Sequence, residues 1–394
     1  MGSHHPIARI ALYICVFLFV FTEVLFSPFY PQFFQKVFGV SDLQFTGNYL
    51  FLCRLSVVAA SPVWGWLSKK VDRKRLLLIG QAGTGLSCGM MASAATETQF
   101  VVWSLILLLF KSSYLLLYPL LLESAMDQKR VTANYHALAQ CAAAGAALAS
   151  SWLIQLKDPL SVFWWIGGLD LLQALICMAV LSKTKTESRI HKTPIPASAS
   201  AARKSRDLYF LMKLGITVFT LHFAVTLIRP LFTVYTEVEY GSSYVESSFL
   251  FLLPSFMTLA ALPVMKKLKS ENLRNVYMIS GAMVLISILL QGGSSSFVLF
   301  TAGRCLFGFF LAICLASLDM SLFQKGKEAG HQYGWMCSFQ NLGLLLAPVS
   351  VPAFTENGAS SVPFWAAGVV LAVHLPAAFV ALRRNSSLTK AKAA

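Results

Sequence analysis

The chain has 394 residues, of which 56% are hydrophobic and 12% charged, with 32 Lys and Arg against 17 Asp and Glu. Soluble chains carry about 25% charged residues, so this composition excludes a soluble enzyme and predicts a membrane protein built of apolar spans. A net charge of +15 would favour nucleic acid as the partner of a soluble chain. Here basic loops beside anionic lipid explain the charge better, so we expect the lipid bilayer and no nucleic acid as partner.

Apolar periodicity predicts an all-α membrane protein with twelve transmembrane helices. In chain order, spans 1 to 12 cover residues 8–35, 43–64, 76–95, 99–122, 133–155, 162–181, 207–236, 246–265, 276–292, 297–320, 332–353 and 362–382. Between spans 6 and 7 the sequence is basic and rich in Ser, Ala and Pro, which is typical of a flexible linker. We therefore predict an N-terminal six-helix bundle (1–181), a cytoplasmic linker (182–206) and a C-terminal six-helix bundle (207–394).

The basic residues alternate between the two sides of the predicted spans. The hairpin between spans 2 and 3 holds five of them within residues 69–75. Of the 32 Lys and Arg, 25 lie on the side of this hairpin, two (Lys36 and Lys157) on the other side and five within spans. Because Lys and Arg accumulate in cytoplasmic loops, both termini are predicted to be cytoplasmic.

The two halves share sequence features at a nearly constant offset. The pairs are Phe-Trp-x-x-Gly at 163–167 and 364–368 (offset 201), Pro and Gly at 28/39 and 230/241 (202), and Gln140 with Gln340 (200). Two parallel repeats of six helices are typical of secondary transporters, whose substrate site lies between the repeats near the bilayer midplane.

The span count, the basic linker and the hairpin resemble the major facilitator superfamily (MFS) over essentially the whole chain. The family hairpin pattern Gly-x-Leu-x-Asp-Arg-x-Gly-Arg-Lys/Arg is matched at Gly65, Leu67, Lys70, Arg73 and Lys74. Lys69 replaces the first acid of the pattern and Asp72 replaces its second glycine. The resemblance implies two pseudo-symmetric bundles and a gating role for Gly65, Asp72 and Arg73, where Asp72 either replaces the missing acid or caps the third helix.

Ionisable side chains at membrane depth cost roughly 2.5–3.5 kcal/mol each on insertion scales, so they mark candidate sites. Those nearest mid-span are Glu23, Arg54, Lys111, Asp170, His222, Arg229 and Arg304. Helical spacing predicts three shared faces, formed by Glu23, Ser27 and Tyr30 in span 1, Lys111 and Tyr118 in span 4, and His222, Thr226, Arg229 and Thr233 in span 7.

Alternative roles remain open for the acids and the histidine. Glu23 is either a proton-titrating carboxylate or the partner of Arg54 or Lys111 in a structural ion pair, and the two roles are compatible. His222 either forms hydrogen bonds in a cavity or relays protons. Asp170 lies on span 6, which is peripheral in the family, so a structural role is favoured. We assign proton coupling to Glu23 and His222.

Charge balance gives the clue to the substrate. Arg229 and Arg304 have no acid at comparable depth in the second half, and Arg54 and Lys111 face only Glu23 in the first. Arginine suits bidentate binding of carboxylate or phosphate, so an anionic substrate is predicted. The substrate-binding candidates are Tyr30, Arg54, Lys111, Tyr118, Gln140, Thr226, Arg229, Arg304, Gln340 and Asn341.

The sequence therefore predicts a proton-coupled secondary active transporter that moves a small organic substrate by alternating access. The favoured substrate is an anion or carboxylate, such as an organic acid or a siderophore. The alternative is a multidrug/proton antiporter that exports amphipathic or cationic compounds, although the fifth span lacks the Gly/Pro-rich motif of many antiporters.

No enzyme, cofactor or metal is predicted. The sequence has no His-Glu-x-x-His and no Gly-x-Ser-x-Gly motif, and its eight cysteines lie in apolar runs without paired spacing. The proton gradient would be the energy source. Short tails and compact loops favour the bacterial inner (cytoplasmic) membrane, and we expect a monomer.

Overall fold

A computed structural model places a helix, or a broken helix, at each of the twelve predicted spans. It describes residues 6–68, 70–117, 121, 128–181, 201–269, 271–323, 329–355 and 361–382. The first half contains α1 (Pro6–Val24), α2 (Tyr30–Phe38), α3 (Leu43–Leu67), α4 (Arg73–Ala92), α5 (Glu97–Lys111), α6 (Gln128–Leu153) and α7 (Val162–Leu181). The second half contains α8 (Ala201–Leu227), α9 (Phe232–Tyr240), α10 (Tyr244–Lys266), α11 (Leu273–Gly293), α12 (Phe297–Phe323), α13 (Ala329–Thr355) and α14 (Val362–Ala381).

These helices make an all-α, multi-pass membrane protein, and no strand occurs in the ranges just given. Seven spans in the described part are long and apolar enough to cross a membrane, or eight when the bent pair α8 and α9 counts as one. The apolar stretches Leu138–Leu153 of α6 and Ser338–Val351 of α13 are shorter.

The chain divides into two compact units. Unit 1 comprises Met1–Pro194 with Ser242–Phe249, and unit 2 comprises Ile195–Gly241 with Leu250–Ala394. In unit 1, α4 packs on α5 and α7, and α1 packs on α6 and α7; in unit 2, α11 packs on α12 and α14, and α8 packs on α13 and α14.

Of the predicted linker at 182–206, residues 182–200 lie outside the described residues. Helix α8 begins at Ala201, within that predicted linker. Residues 201–206 contain no Pro or Gly that would stop a helix, and Ala, Arg and Lys are strong helix formers.

Spans 1 and 7 are each broken at a proline. A 3₁₀ turn with Pro28 (Ser27–Phe29) separates α1 from α2, and Pro230 lies between α8 and α9, which bend by 41°. Proline lacks a backbone N–H, and its ring disfavours helical geometry at the residue before it. The proline that the two halves share therefore marks the same break in both.

The glycine that follows each break ends the second piece. Helices α2 and α9 are both nine residues long, and each ends at a left-handed glycine, Gly39 with φ 71° and Gly241 with φ 60°. Only glycine adopts this conformation without steric cost. The repeated Pro and Gly positions in the sequence thus encode one repeated broken helix.

Matched aromatic clusters fix each broken helix to its own unit. In unit 1, the ring of Phe33 lies 5.2 Å from Phe100 and 6.0 Å from Phe163, centroid to centroid. Unit 2 repeats this at offsets of 200–202, where Tyr235 lies 5.7 Å from Phe300 and 4.7 Å from Phe364. Tilted and edge-to-face pairs at these distances are favourable aromatic contacts.

Helices α4 and α7 approach closely at two glycines. A Cβ at Gly167 would lie 2.8 Å from the carbonyl oxygen of Gly85 and 3.0 Å from Cβ of Cys88. A Cβ at the next residue, Gly168, would meet nothing within 4 Å. Small residues let the backbones of membrane helices approach, so Gly167 is required by packing and Gly168 is not.

We expect Gly167→Ala to destabilise the protein by about 1–3 kcal/mol, because the new methyl group overpacks the α4–α7 contact. Thermal unfolding of purified protein in detergent measures this as a lower Tm. Gly168→Ala on the same helix is the matched control and should leave Tm unchanged or raise it slightly. Equal Tm values for the two variants would contradict the close approach.

Candidate functional site

The polar residues of span 1 do not form the continuous face that helical spacing predicted. Glu23 lies one residue before the end of α1, Ser27 starts the 3₁₀ turn and Tyr30 starts α2. The prediction of one face was wrong because the span breaks at Pro28. The three residues lie on both sides of the break, and interrupted helices are typical of transporter substrate sites.

Tyr30 is the centre of this first polar group. Its ring lies 5.1 Å from that of Tyr49, and the charges of Glu23 and Arg54 both act on its hydroxyl. Glu23 is half-buried and Arg54 is exposed on α3. Within the described part of unit 1, Glu23 makes no ion pair, so the predicted structural pair with Arg54 or Lys111 is not formed.

Lys111 binds α1 instead of an acid. Its side chain is 6% exposed, and its Nζ donates to Oγ1 of Thr22 at 2.9 Å. Thr22 donates its own hydroxyl hydrogen to the carbonyl oxygen of Phe19 at 3.2 Å, which leaves its lone pairs for the ammonium. Sequence reasoning missed Thr22, because a threonine in an apolar run is usually a packing residue.

The predicted polar face of span 7 is also interrupted. His222 and Thr226 lie on α8, Arg229 lies in the break, and Thr233 lies on α9. Thr226 and Thr233 are buried, at 8% and 0% exposure, so they do not line water as predicted. His222 is half-buried and Arg229 is exposed. The regular spacing fails because the break at Pro230 ends α8 at Leu227, so that Arg229 and Thr233 lie outside that helix.

Arg304 is the most deeply buried arginine of the described residues, at 4% exposure on α12. Its Nε donates to the carbonyl oxygen of Leu250 at 3.1 Å. Its Cζ lies 4.2 Å from the ring centroid of Phe232 and 5.2 Å from that of Phe307. The described charge that acts on it is Arg229, a like charge.

The guanidinium of Arg304 is therefore held but not neutralised. Of its five N–H donors, one is bound to a carbonyl oxygen, and four on the two terminal nitrogens have no hydrogen-bond partner among the described residues. The guanidinium also packs on these two aromatic rings. Such an arrangement can bind a planar anion in the plane of the guanidinium.

The predicted amides belong to different units, with Gln140 in unit 1 and both Gln340 and Asn341 in unit 2. Gln140 on α6 and Asn341 on α13 are exposed, and Gln340 is half-buried. Tyr118 lies outside the described residues. These positions keep their predicted roles only as predictions.

The basic hairpin joins α3 to α4. Gly65 lies in the last turn of α3, and Oδ1 of Asp72 accepts the backbone N–H of Lys74 at 3.3 Å, so Asp72 caps α4. Arg73 begins α4, and its side chain and Lys69 lie outside the described residues. Capping satisfies backbone donors at the start of the helix, which is the second of the two predicted roles of Asp72.

A buried histidine in unit 2 escaped sequence reasoning. His374 is 2% exposed and ties three helices together. Its Nδ1 lies 2.7 Å from Oγ1 of Thr220 on α8, and its Nε2 lies 2.7 Å from the hydroxyl oxygen of Tyr277 on α11. Its place inside span 12 was a usable signal, because ionisable residues at that depth are rare.

We expect Tyr277→Phe to lower stability by about 1–3 kcal/mol, because it leaves Nε2 of His374 buried without a partner. The readout is Tm in detergent. Tyr240→Phe is the control, since Tyr240 is half-buried and its hydroxyl donates to the carbonyl oxygen of Ser294 at the end of α11. The His374 network would be unimportant if both variants lost equal stability.

Broken helices at equivalent positions, in a multi-pass all-α protein that buries Lys111 and Arg304, are typical of secondary transporters. The sequence model of the family described as the Major Facilitator Superfamily matches the chain over residues 12–270 and 214–394. The chain belongs to this family. It is a transporter of the secondary type and not an enzyme.

Solved structures share this fold at low sequence identity. A point mutant of the nucleoside transporter NupG is 15% identical, with TM-score 0.77, over 96% of this chain and 100% of that chain. A bacterial homolog to the human lysosomal transporter Spinster is 12% identical, with TM-score 0.74, over 97% and 98%. The human organic anion transporter MFSD10 (TETRAN) is 14% identical, with TM-score 0.66, over 96% and 100%. No curated protein matches the sequence.

Proposed function

We propose that the protein couples the movement of protons to the transport of a small organic anion, by alternating access. The observation that carries the proposal is the guanidinium of Arg304, which is buried beside a second arginine and has no acid acting on it among the described residues. A buried cation without a counterion is costly, and a substrate anion that supplies the counterion removes that cost. An organic acid or a carboxylate siderophore has the required chemistry.

The fold of the similar structures leaves the substrate open. Their names include a nucleoside transporter and an organic anion transporter, and each is only 12–15% identical to this chain. The support for an anion comes from this chain's own charges. In unit 1 it is Lys111, which is 6% exposed and hydrogen-bonded only to a neutral hydroxyl among the described residues.

Glu23 is the proposed proton acceptor, with His222 as a second titratable group. Glu23 is half-buried near the break of span 1, and no ion pair holds its charge within the described part of unit 1.

We extend the proposal to a monomer in the bacterial inner membrane with both termini cytoplasmic. The distribution of Lys and Arg supports this orientation, because 25 of 32 lie on the side of the hairpin at 69–75. The hairpin residues Gly65, Asp72 and Arg73 would then form part of the inner gate.

Transport in proteoliposomes tests the proposal. Vesicles with an imposed pH gradient are offered labelled citrate, succinate, benzoate and ferric citrate, and ethidium is the cationic comparison. We expect the gradient to stimulate movement of at least one anion several-fold, and a protonophore to abolish that stimulation. Movement of ethidium against protons without movement of any anion would overturn the proposal in favour of a multidrug/proton antiporter.

A further inference from the structure

Asp170 is the most deeply buried acid of the described residues, at 2% exposure on α7. It lies in unit 1 beside groups from two neighbouring segments. These are Thr84 and Cys88 of α4, and Lys111 and Tyr114 at the junction of α5 with the 3₁₀ turn Ser112–Leu116. Lys111 is the only cation among them, and it lies beyond ion-pair distance of Asp170.

The neighbouring hydroxyls of Thr84 and Tyr114 can accept a hydrogen bond from Asp170 when it carries its proton. Oγ1 of Thr84 donates its hydrogen to the carbonyl oxygen of Gln81 at 2.9 Å, and in that arrangement it presents lone pairs to Asp170. An ionised carboxylate has no hydrogen for those lone pairs, whereas a carboxylic acid has one. The hydroxyl of Tyr114 lies beside Asp170 without a hydrogen bond of full geometry to any described residue, so it is available to either form.

The ammonium of Lys111 is turned toward α1. Its Nζ donates to Thr22 at 2.9 Å, next to Glu23 and beside the ring of Phe19 at 5.5 Å from the centroid. A buried ammonium and a buried carboxylate at close range attract each other strongly in a low dielectric. That Lys111 binds a neutral hydroxyl instead fits a neutral, protonated Asp170.

We propose that Asp170 is an internal proton-binding site and that Lys111 is its exchangeable counterion. While Lys111 is bound to Thr22, a proton from water occupies a carboxylate oxygen of Asp170. When Lys111 leaves Thr22 for Asp170, the O–H bond breaks, the proton returns to water and an ion pair takes its place. A substrate anion that attracts Lys111 toward α1 therefore promotes proton binding, so anion and proton bind together.

The surroundings of Asp170 contain few other titratable groups. On α1, the thiol of Cys15 lies 3.2 Å from that of Cys177 on α7, sulfur to sulfur, and both act on Tyr114. Neither these thiols nor Cys88 supplies a positive charge. Lys111 is thus the described group able to stabilise the ionised acid.

This inference deepens the proposed proton coupling, and the role of Asp170 in transport rests on that proposed function. Proton binding by Asp170 can be tested separately from transport. Infrared difference spectra of the purified full-length protein, recorded between neutral and alkaline pH, show a protonated carboxyl as a carbonyl band. We expect the wild type to show such a band at neutral pH and labelling with aspartate ¹³C-enriched at the carboxyl carbon to shift it. Asp170→Asn should remove the band, and Asp319→Asn, a change at an exposed aspartate on α12, should leave it.

Substitution of the counterion, Lys111, gives a second test of the inference. In Lys111→Met the acid has lost its cation, so the band should persist to higher pH than in the wild type. If Asp170→Asn does not fold, Asp170→Glu replaces it, and the aspartate label should then no longer shift the band. A wild-type protein without the band, or a band retained with its aspartate shift in either Asp170 variant, would overturn the inference. Failure of the pH gradient to drive any anion would instead count against the proposed function.

Discussion

Arg304→Gln is expected to reduce anion transport in proteoliposomes strongly. Removing one partner of a buried, hydrogen-bonded charge pair costs about 2–5 kcal/mol, and about 1.4 kcal/mol is a factor of ten in affinity. The substitution removes both the positive charge and the planar fork that Phe232 and Phe307 hold in place. We therefore expect uptake at low anion concentration to fall by roughly 30-fold or more.

Two comparison variants serve as controls. One separates the positive charge of Arg304 from the planar shape of its guanidinium, and the other separates a loss of transport from a loss of folding. Arg304→Lys keeps the charge but loses the fork, so uptake should be intermediate. Arg274→Gln removes an arginine that also lies over an aromatic ring, 5.0 Å from Phe379, but at the start of α11, and it should transport as the wild type does. All three proteins should keep Tm within a few degrees. Full uptake by Arg304→Gln would remove the main support for an anionic substrate.

Gly308→Ala is expected to have the largest effect on stability. A Cβ at Gly308 would lie 2.3 Å from Cα and 2.7 Å from the carbonyl oxygen of Pro254, so α12 touches the backbone of α10. Backbone atoms cannot move aside as a flexible side chain can, and the helices must separate. Overpacking of this kind costs about 3 kcal/mol at the upper end of the usual range. We expect a clear loss of Tm or of folded yield.

Gly303→Ala on the same helix gives the graded control. Its Cβ would meet Cγ of Gln291 at 3.1 Å and the carbonyl oxygen of Ser287 at 3.3 Å. A small adjustment of the glutamine side chain relieves the closer contact, so the loss of Tm should be clearly smaller than for Gly308→Ala. The reverse order would show that α10 and α12 are not in backbone contact at Pro254.

Much of the fold was predictable because it depends on local composition. Apolar runs of about 20 residues have to become helices in a membrane, since lipid offers no partner for backbone N–H and C=O groups. The positions of the twelve spans followed from this alone. The offset of 200–202 residues between repeated features predicted the relation between the halves, including Pro28 with Pro230 and Gly39 with Gly241.

The sites were less predictable, because the spacing argument assumed unbroken helices. Pro28 and Pro230 end α1 and α8 close to the residues of interest, so Glu23 and Tyr30, or His222 and Arg229, no longer share a regular helix. The prolines themselves were visible in the sequence. Their consequence for side-chain direction was not.

By itself, the sequence determined the membrane environment, the twelve spans, the repeat and the family, because each of these depends on composition, periodicity or a motif. The tertiary structure decided which groups contact the charged side chains. It directs Lys111 to the hydroxyl of Thr22, packs Arg304 on two aromatic rings and buries Asp170 beside hydroxyls. Such partners are distant in sequence, and only the packing of helices against one another brings them within hydrogen-bonding distance.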